Sequence, residues 1–238
     1  LLHLNPGSAP LAAEDFKGQV IVLAGAITIK HDGQERIHQL PQDGLATVLN
    51  TEGDLLRVRV EDPEKRELVG WVERTRVVSL AQRLEQLDTE SSTNESAQLL
   101  QLRGRIRLAK NDLDGALKDL NQSIALDAKR ATAWVDRAAI QRARGEEASA
   151  VSDLEEALRL DPHHPAARFE RSRVAQAGKL LDEALQHIEV AIEHAPDLPK
   201  LRLHRAQIQH LRNRTEEALS DYNEVLRADS RQVEALHG

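Results

Sequence analysis

The sequence predicts an α+β protein of two domains, in which a small β-barrel precedes an α-α superhelix of four helical repeats. Val- and Ile-rich runs with hairpin signals before residue 80 predict the barrel, and a 34-residue internal repeat after residue 96 predicts the superhelix. The 238 residues are 40% apolar, which suffices for two packed cores. The predicted divisions are a leader at 1–16, the barrel at 17–80, a capping helix and linker at 81–96 with a loop at 91–94, and repeats at 97–238.

Composition excludes several classes of function. The chain has no Cys, which rules out a disulfide scaffold, a thiol nucleophile and a zinc ribbon. Its net charge is -7 and only 2% of its residues are aromatic, so we expect no nucleic-acid partner. No apolar run approaches the roughly 18 residues of a spanning helix, so we expect no membrane span. The absence of Met indicates a fragment or a processed chain.

The leader 1–16 begins with small and apolar residues and becomes acidic at Glu14. This pattern fits the end of a secretory signal or, equally, a disordered leader containing Pro6 and Pro10. The first alternative favours an exported or periplasmic protein over a cytoplasmic one.

Five short strands are predicted in the N-terminal domain. They are expected at 19–31, 45–49, 55–60, 68–74 and 77–78, with turns at Asp32-Gly33 and 50–53. The runs GLATVL, EGDLLRVRV and GWVERTRVVSL resemble the bacterial Src-homology-3-like domains. Trp71 stands nearly alone in this domain, whereas a proline-peptide groove needs several aromatic side chains. We therefore expect Trp71 to pack within a strand rather than stack on a ligand.

The helical repeat emerges when the chain is shifted by 34 residues. The aligned units are 97–130, 131–164, 165–198 and 199–232, followed by the start of a fifth element at 233–238. Position 20 of the unit is always Ala and position 10 is always Ile or Val, which predicts two helices in each unit. Left-handed turn residues are expected between the two helices, at Asn111, Gly145, Gly178 and Asn213.

The second unit, ATAWVDRAAIQRARGEEASAVSDLEEALRLDPHH, resembles the tetratricopeptide repeat family. The matching residues are Trp134, Ala138, Gly145, Ala150, Leu154, Ala157 and Pro162. The resemblance implies protein-protein interaction through a concave groove lined by positions 5, 9 and 12 of each first helix. It gives six partner-binding candidates, namely Arg105, Val135, Arg142, Phe169, Arg173 and Leu203. An apolar strip flanked by Arg suits a peptide or helix with apolar anchors and acidic flanks.

Position 7 departs from the family, which usually has Leu there. The four residues are Arg103, Arg137, Arg171 and Arg205, and position 23 carries Asp119, Asp153, His187 and Asp221. We favour an ion pair within each repeat over an anion-binding ladder of Arg side chains.

No pattern supports catalysis. The His pairs lack metal-ligand spacing, and neither a phosphate-binding Gly-rich loop nor a Gly-x-Ser-x-Gly elbow is present. We therefore expect no catalytic residues, no metal and no cofactor. The leading hypothesis is a non-enzymatic scaffold that holds a protein partner in the groove. The alternatives are a cell-envelope module whose barrel binds peptidoglycan or another wall polymer, and the noncatalytic part of a longer enzyme.

Overall fold

The computed structural model describes residues 19–23, 27–31, 34–40, 45–61, 67–93 and 95–234. The predicted leader and the predicted Asp32-Gly33 turn lie outside these residues. The chain divides into two compact units, of which one holds the strands and the other begins at Leu84 and holds the helical repeats.

The first unit is an antiparallel sheet of seven strands in the order β3-β2-β6-β5-β4-β1-β7. The strands are β1 Val20–Leu23, β2 Ile27–His31, β3 Gln34–Leu40, β4 Leu45–Glu52, β5 Leu55–Glu61, β6 Glu67–Glu73 and β7 Val77–Ser79. Alternate residues of several strands form its core, where Ile21, Val48, Leu56 and Val58 are at most 1% exposed. The Src-homology-3-like barrel is not confirmed, because what the structure shows is this sheet.

Two strand predictions were wrong in detail. The predicted strand 19–31 is divided into β1 and β2, and β3 was missed. The sequence of β3, QERIHQL, has few residues that favour strands, yet it pairs with β2 through Ile27 opposite Leu40. A strand of this composition is specified by its partner strand rather than by its own propensity.

The hairpin between β4 and β5 turns later than predicted. Glu52 pairs with Leu55, so the turn is Gly53-Asp54, and Gly53 has the left-handed φ of 56° that such a turn favours. The register shifts between Val48 and Asn50, so a bulge lets β4 continue past the predicted turn.

The second unit holds the part of the first helix from Leu84 onward and four consecutive pairs of helices. The helices are α1 Leu80–Thr93, α2 Ala97–Ala109, α3 Leu113–Leu126, α4 Ala131–Ala143, α5 Glu147–Leu160, α6 Pro165–Ala177, α7 Leu181–His194, α8 Pro199–Leu211 and α9 Thr215–Glu234. First helices begin every 34 residues from Ala97, and second helices every 34 residues from Leu113. Helices α2 to α9 therefore form four repeats of a superhelix. In the described part of the chain, no helix is long and apolar enough to cross a membrane.

In each repeat, the residue with left-handed conformation in the turn between the two helices is at position 15. Asn111, Gly145, Lys179 and Asn213 all have positive φ, between 60° and 77°. The third repeat corrects the prediction, because Gly178 has a φ of -74° and Lys179 is the left-handed residue. The amide of Leu180 donates to the carbonyl of Ala175, as the residue after the turn does in the other repeats, and this closure sets the conformation.

Helix ends also differ from the prediction in two places. Helix α9 continues through Ser230 to Glu234, past the position at which α3, α5 and α7 end. Val233 and Glu234 therefore belong to helix α9, and the rest of the predicted fifth element, 235–238, lies outside the described residues. Helix α1 includes Ser91, which was predicted in a loop, and the Ser91 hydroxyl donates to the Leu87 carbonyl at 2.6 Å.

Candidate functional site: the groove of the helical repeats

Each first helix has two faces with different partners. At 3.6 residues per turn, positions 7 and 9 lie about 200° apart around the helix. Position 7 therefore points toward the second helix of its own repeat when position 9 points away from it. The face that carries positions 2, 5, 6, 9 and 12 is called the groove face below.

Position 7 forms the predicted ion pairs in three repeats. Arg137 donates to both carboxylate oxygens of Asp153, each at 2.7 Å, and Arg205 does the same to Asp221 at 2.8 and 2.6 Å. Arg103 forms the equivalent pair with Asp119. The three Asp residues are at most 4% exposed, so each carboxylate is held in a two-point contact away from water. The ion-pair prediction is confirmed in these repeats.

The third repeat replaces this pair. Arg171 donates to Glu183 at 2.8 Å, and Glu183 lies one helical turn before His187. Burial, followed by the charges of Arg171 and Arg168, lowers the pKa of His187. Because position 23 is His187 rather than Asp, Arg171 pairs with Glu183 instead, and the side chain of Glu183 is 35% exposed.

Phe169 lies at the centre of the groove face. The guanidinium carbon Cζ of Arg173 and the ammonium Nζ of Lys200 each lie 5.6 Å from the centre of its ring. The imidazole of His204 contacts the ring edge-on, with centroids 5.2 Å apart. Phe169 is half-buried, because one side of it packs on the core between the third and fourth repeats. These cations lie within cation-π distance of a ring that is still partly accessible.

Glu170 organises the arginines beside Phe169. One carboxylate oxygen accepts from Arg142 Nε at 2.9 Å, and the other accepts from Arg173 Nη1 at 3.3 Å. Glu170 is only 9% exposed, whereas the side chains of Arg142 and Arg173 are 27% and 38% exposed. The buried carboxylate thus positions two guanidinium groups that remain accessible from the groove.

A second carboxylate lies one repeat earlier. Asp136 accepts from the Gln101 amide at 2.7 Å, and Arg105 is its principal charged neighbour. Burial raises the pKa of Asp136, while Arg105, the Gln101 hydrogen bond and Arg130 act in the opposite direction. Arg105 itself is exposed.

The three residues of the predicted apolar strip, Val135, Phe169 and Leu203, differ in their exposure. Leu203 is 36% exposed and Phe169 is half-buried, so both present apolar surface. Val135 is 6% exposed and packs with Ala138, Ala167 and Val174, so it forms the floor beneath the surface. The prediction of Val135 as a contact residue has no exposed side chain to support it.

Sequence reasoning missed three members of this site, Glu170, Lys200 and His204. They occupy positions 6, 2 and 6 of their repeats, on the same face as positions 5 and 9. A helical-wheel count that extended past positions 5, 9 and 12 would have found them.

His204 is held under the groove by a short chain of hydrogen bonds. The Ser172 hydroxyl donates to the Ala184 carbonyl at 2.7 Å. The hydroxyl oxygen therefore accepts a hydrogen bond from His204 Nε2, at 3.0 Å. Burial is the main cause that lowers the pKa of His204, and Arg173 adds to it. Gln207, Glu170 and Ser172 act in the opposite direction.

No group of three or more metal-ligating side chains that could hold an ion occurs among the residues that the structure describes. The alternative in which the N-terminal domain binds a wall polymer stays a hypothesis.

Comparisons with known proteins agree on the helical unit. A tetratricopeptide repeat model matches residues 102–165 and a second matches 141–208. No curated protein matches the chain.

Solved structures show the same fold at low sequence identity. The protein MamA from Desulfovibrio magneticus RS-1 is 15% identical, with a TM-score of 0.55 over 65% of this chain and 88% of that one. A thermophilic tetratricopeptide repeat protein of Thermus thermophilus is 19% identical, with a TM-score of 0.56 over 67% of this chain and 91% of that one. The Cut9-Hcn1 hetero-tetramer of APC/C gives a TM-score of 0.57 at 16% identity, over 61% of this chain and 28% of that chain.

Proposed function

We propose that this chain, whose helical units match tetratricopeptide repeat models, is a non-enzymatic scaffold that holds a protein partner in the groove of those units. The site is the groove face of α2, α4, α6 and α8, with Phe169 on α6. The same face carries Arg105, Arg142, Arg173 and Leu203, and Val135 lies beneath its surface.

The observation that carries the proposal is the accessible part of Phe169 and Leu203 beside two positioned guanidinium groups. Apolar side chains on a helix face normally pack against another element, as Val135 does here. Aromatic and Arg side chains are also the residue types that dominate binding energy at protein interfaces. Rigid first helices hold them, so little conformational entropy is lost when a partner binds.

Site-specific photo-crosslinking tests this proposal. Benzoylphenylalanine replaces Leu203 in one version of the chain and Leu126, which is 54% exposed on the second helix α3, in a matched control. We expect a defined crosslinked band from position 203 in an extract of the source cells, and none from position 126.

The same experiment with Phe169→Ala and Arg173→Glu together should abolish the band from position 203 at a temperature where circular dichroism shows that the double variant is folded, since loss of the Phe169 ring also removes packing against the core. Equal crosslinking from both positions, or a band that persists in the double variant, would exclude the groove as the binding site.

A further inference from the structure

A surface pocket in the second repeat combines an aromatic ring with carboxylates. It has a volume of about 450 Å³ and is lined by Trp134, Ser152, Glu155, Glu156 and Arg159. Trp134 lies on α4, and the other four residues lie on α5. A volume of this size is in the range of ligand-binding pockets.

Trp134 points away from the groove face. It occupies position 4 of its repeat, which lies about 60° from position 7 and about 140° from position 9 around the helix. Position 7 faces the second helix of its own repeat, as Arg137 shows through its pair with Asp153. The pocket is therefore separate from the groove.

Helix α5 provides the polar wall of the pocket. Its four lining residues are three, one and three positions apart, so they share one face of the helix. Glu156 is half-buried, and the other three are exposed. The polar side of the pocket is thus accessible from solvent.

Glu155 is the charge that remains unpaired in this wall. The guanidinium of Arg159 donates to both carboxylate oxygens of Glu156, at 2.8 and 2.6 Å, and this contact lowers the pKa of Glu156. Arg159 and Glu156 therefore neutralise each other. Glu155 forms no hydrogen bond or ion pair within the part of the chain that the structure describes.

The helices on this side of the unit add negative charge. Helices α5 and α7 together carry eight Asp and Glu against a single Arg, which is Arg159, and no Lys. Asp153 is paired with Arg137, but Glu189 and Glu193 are exposed. A cation that approaches the pocket thus meets more negative than positive charge.

The Trp134 ring forms the apolar wall and favours cations. Arg137 Cζ already lies 4.9 Å from the ring centre, but Arg137 does not line the pocket. The indole N–H donates to the Ala128 carbonyl at 2.9 Å, and the ring packs in part on the core of its repeat. These contacts fix the ring, so it offers the pocket a rigid aromatic surface rather than a free hydrogen-bond donor.

We propose that this pocket binds an alkylammonium group, with its methylene chain packed on the Trp134 ring and its ammonium in contact with the Glu155 carboxylate. The group has the chemistry of a Lys side chain of another protein or of a free polyamine. An anion fits less well, because Arg159 is already paired and the nearby helices carry an excess of carboxylates. The site lies outside the groove, so it does not depend on the proposed function.

The third repeat provides an internal comparison. Position 25 is Glu189 there, in place of Glu155, and both residues are exposed. Position 4, however, is Arg168 in place of Trp134. An ammonium beside Glu189 would have no aromatic ring at position 4 and would meet a guanidinium instead. We therefore expect binding at the second repeat and not at the third.

NMR of the full chain with isotopically labelled Trp tests the inference. The chain has two Trp residues, and Trp71, in the other unit, serves as an internal reference for the indole signal of Trp134. Nα-acetyl-lysine methylamide should shift the Trp134 signal in a saturable way, with a Kd on the order of 1 mM. The norleucine derivative, which lacks the ammonium, should bind at least about threefold more weakly. Tighter binding of putrescine than of the lysine derivative assigns the site to a polyamine, and the reverse order assigns it to a protein Lys.

Two single variants give the decisive comparison. Glu155→Gln removes the charge with little change in shape and should weaken binding of the lysine derivative at least about threefold. Glu189→Gln makes the same change in net charge at the matched position of the third repeat and should leave the Kd unchanged. Both residues are exposed, so the melting temperatures of the two variants should match that of the parent chain.

Several results would overturn the inference. Equal binding of the norleucine and lysine derivatives would indicate a purely apolar pocket, and equal effects of the two variants would exclude Glu155 as the contact. Tighter binding of the Nα-acetyl-glutamate derivative would assign the pocket to an anion at Arg159, and the absence of any saturable shift would exclude a site. None of these results bears on the groove, which the crosslink from position 203 tests separately.

Discussion

Arginines at position 7 and arginines on the groove face lie on the same helices but differ in how their charge is paired. Arg137 and Arg205 give two hydrogen bonds each to an Asp that is at most 4% exposed. Arg173 shares Glu170 with Arg142 and leaves 38% of its side chain exposed. The comparison teaches that side-chain type does not identify a binding residue, because the angular position around the helix decides whether the charge is already satisfied.

The largest expected effect comes from breaking a position-7 pair. Arg137→Leu leaves Asp153 buried without its guanidinium partner, so we expect a loss of about 3 kcal/mol in the free energy of unfolding. Urea denaturation measures this loss. Arg173→Leu is the matched control and should cost much less, since Glu170 keeps Arg142. Equal losses in the two variants would contradict the distinction between the faces.

The third repeat should show a weaker version of the same effect. Arg171 pairs with Glu183, whose side chain is 35% exposed, and water can hydrate that carboxylate when the Arg is removed. We therefore expect Arg171→Leu to cost about 1 kcal/mol. A loss as large as that of Arg137→Leu would show that the pair with Glu183 is as buried as the Asp pairs.

The left-handed turn of the third repeat predicts a gain in stability. Lys179 has a φ of 61°, a conformation that Gly adopts without steric cost. Lys179→Gly should raise the urea midpoint by the equivalent of about 1 kcal/mol with an unchanged m value. Gly178→Ala is the control and should not destabilise, because its φ is -74° and its added Cβ would meet no atom closer than 3.6 Å. If Gly178→Ala destabilised the protein, Gly178 rather than Lys179 would be the left-handed residue of this turn.

The smallest expected effect is a dependence of stability on pH. The pKa of His204 is lowered in the folded chain, so the unfolded chain, with a pKa of about 6.5, binds more protons below that pH. The free energy of unfolding should therefore be constant above about pH 6.5 and fall as the solution becomes more acidic. His204→Gln should reduce this fall, and His187→Gln should reduce it further, since the pKa of His187 is also lowered. An unchanged profile in the double variant would exclude both imidazoles.

How much the sequence predicted depends on whether a feature repeats. The four helix pairs, three of the position-7 ion pairs and the turn residues Asn111, Gly145 and Asn213 were predicted because four aligned copies report on each position. Strand β3 was missed because its residues are polar and its pairing with β2 is a non-local property. Lys179 was missed because Gly178, a better left-handed residue by type, stands beside it.

The binding face shows the same limit. Arg105, Arg142 and Arg173 follow from helical periodicity, but the burial of Val135 depends on how α6 packs against α4. The contact of Lys200 and His204 with Phe169 joins neighbouring repeats, which no count within one repeat can reveal.

The central claim, that the groove face binds the partner and the position-7 face holds the fold together, is tested most directly by one paired measurement. The yield of the crosslink from position 203 is measured with Arg173→Glu and with Arg137→Leu, each at a temperature where the protein is folded. We predict that Arg173→Glu lowers the yield at least about tenfold and lowers stability less than Arg137→Leu does, while Arg137→Leu changes the yield by less than about twofold. The reverse pattern, with the yield lowered by Arg137→Leu and unaffected by Arg173→Glu, would contradict the claim.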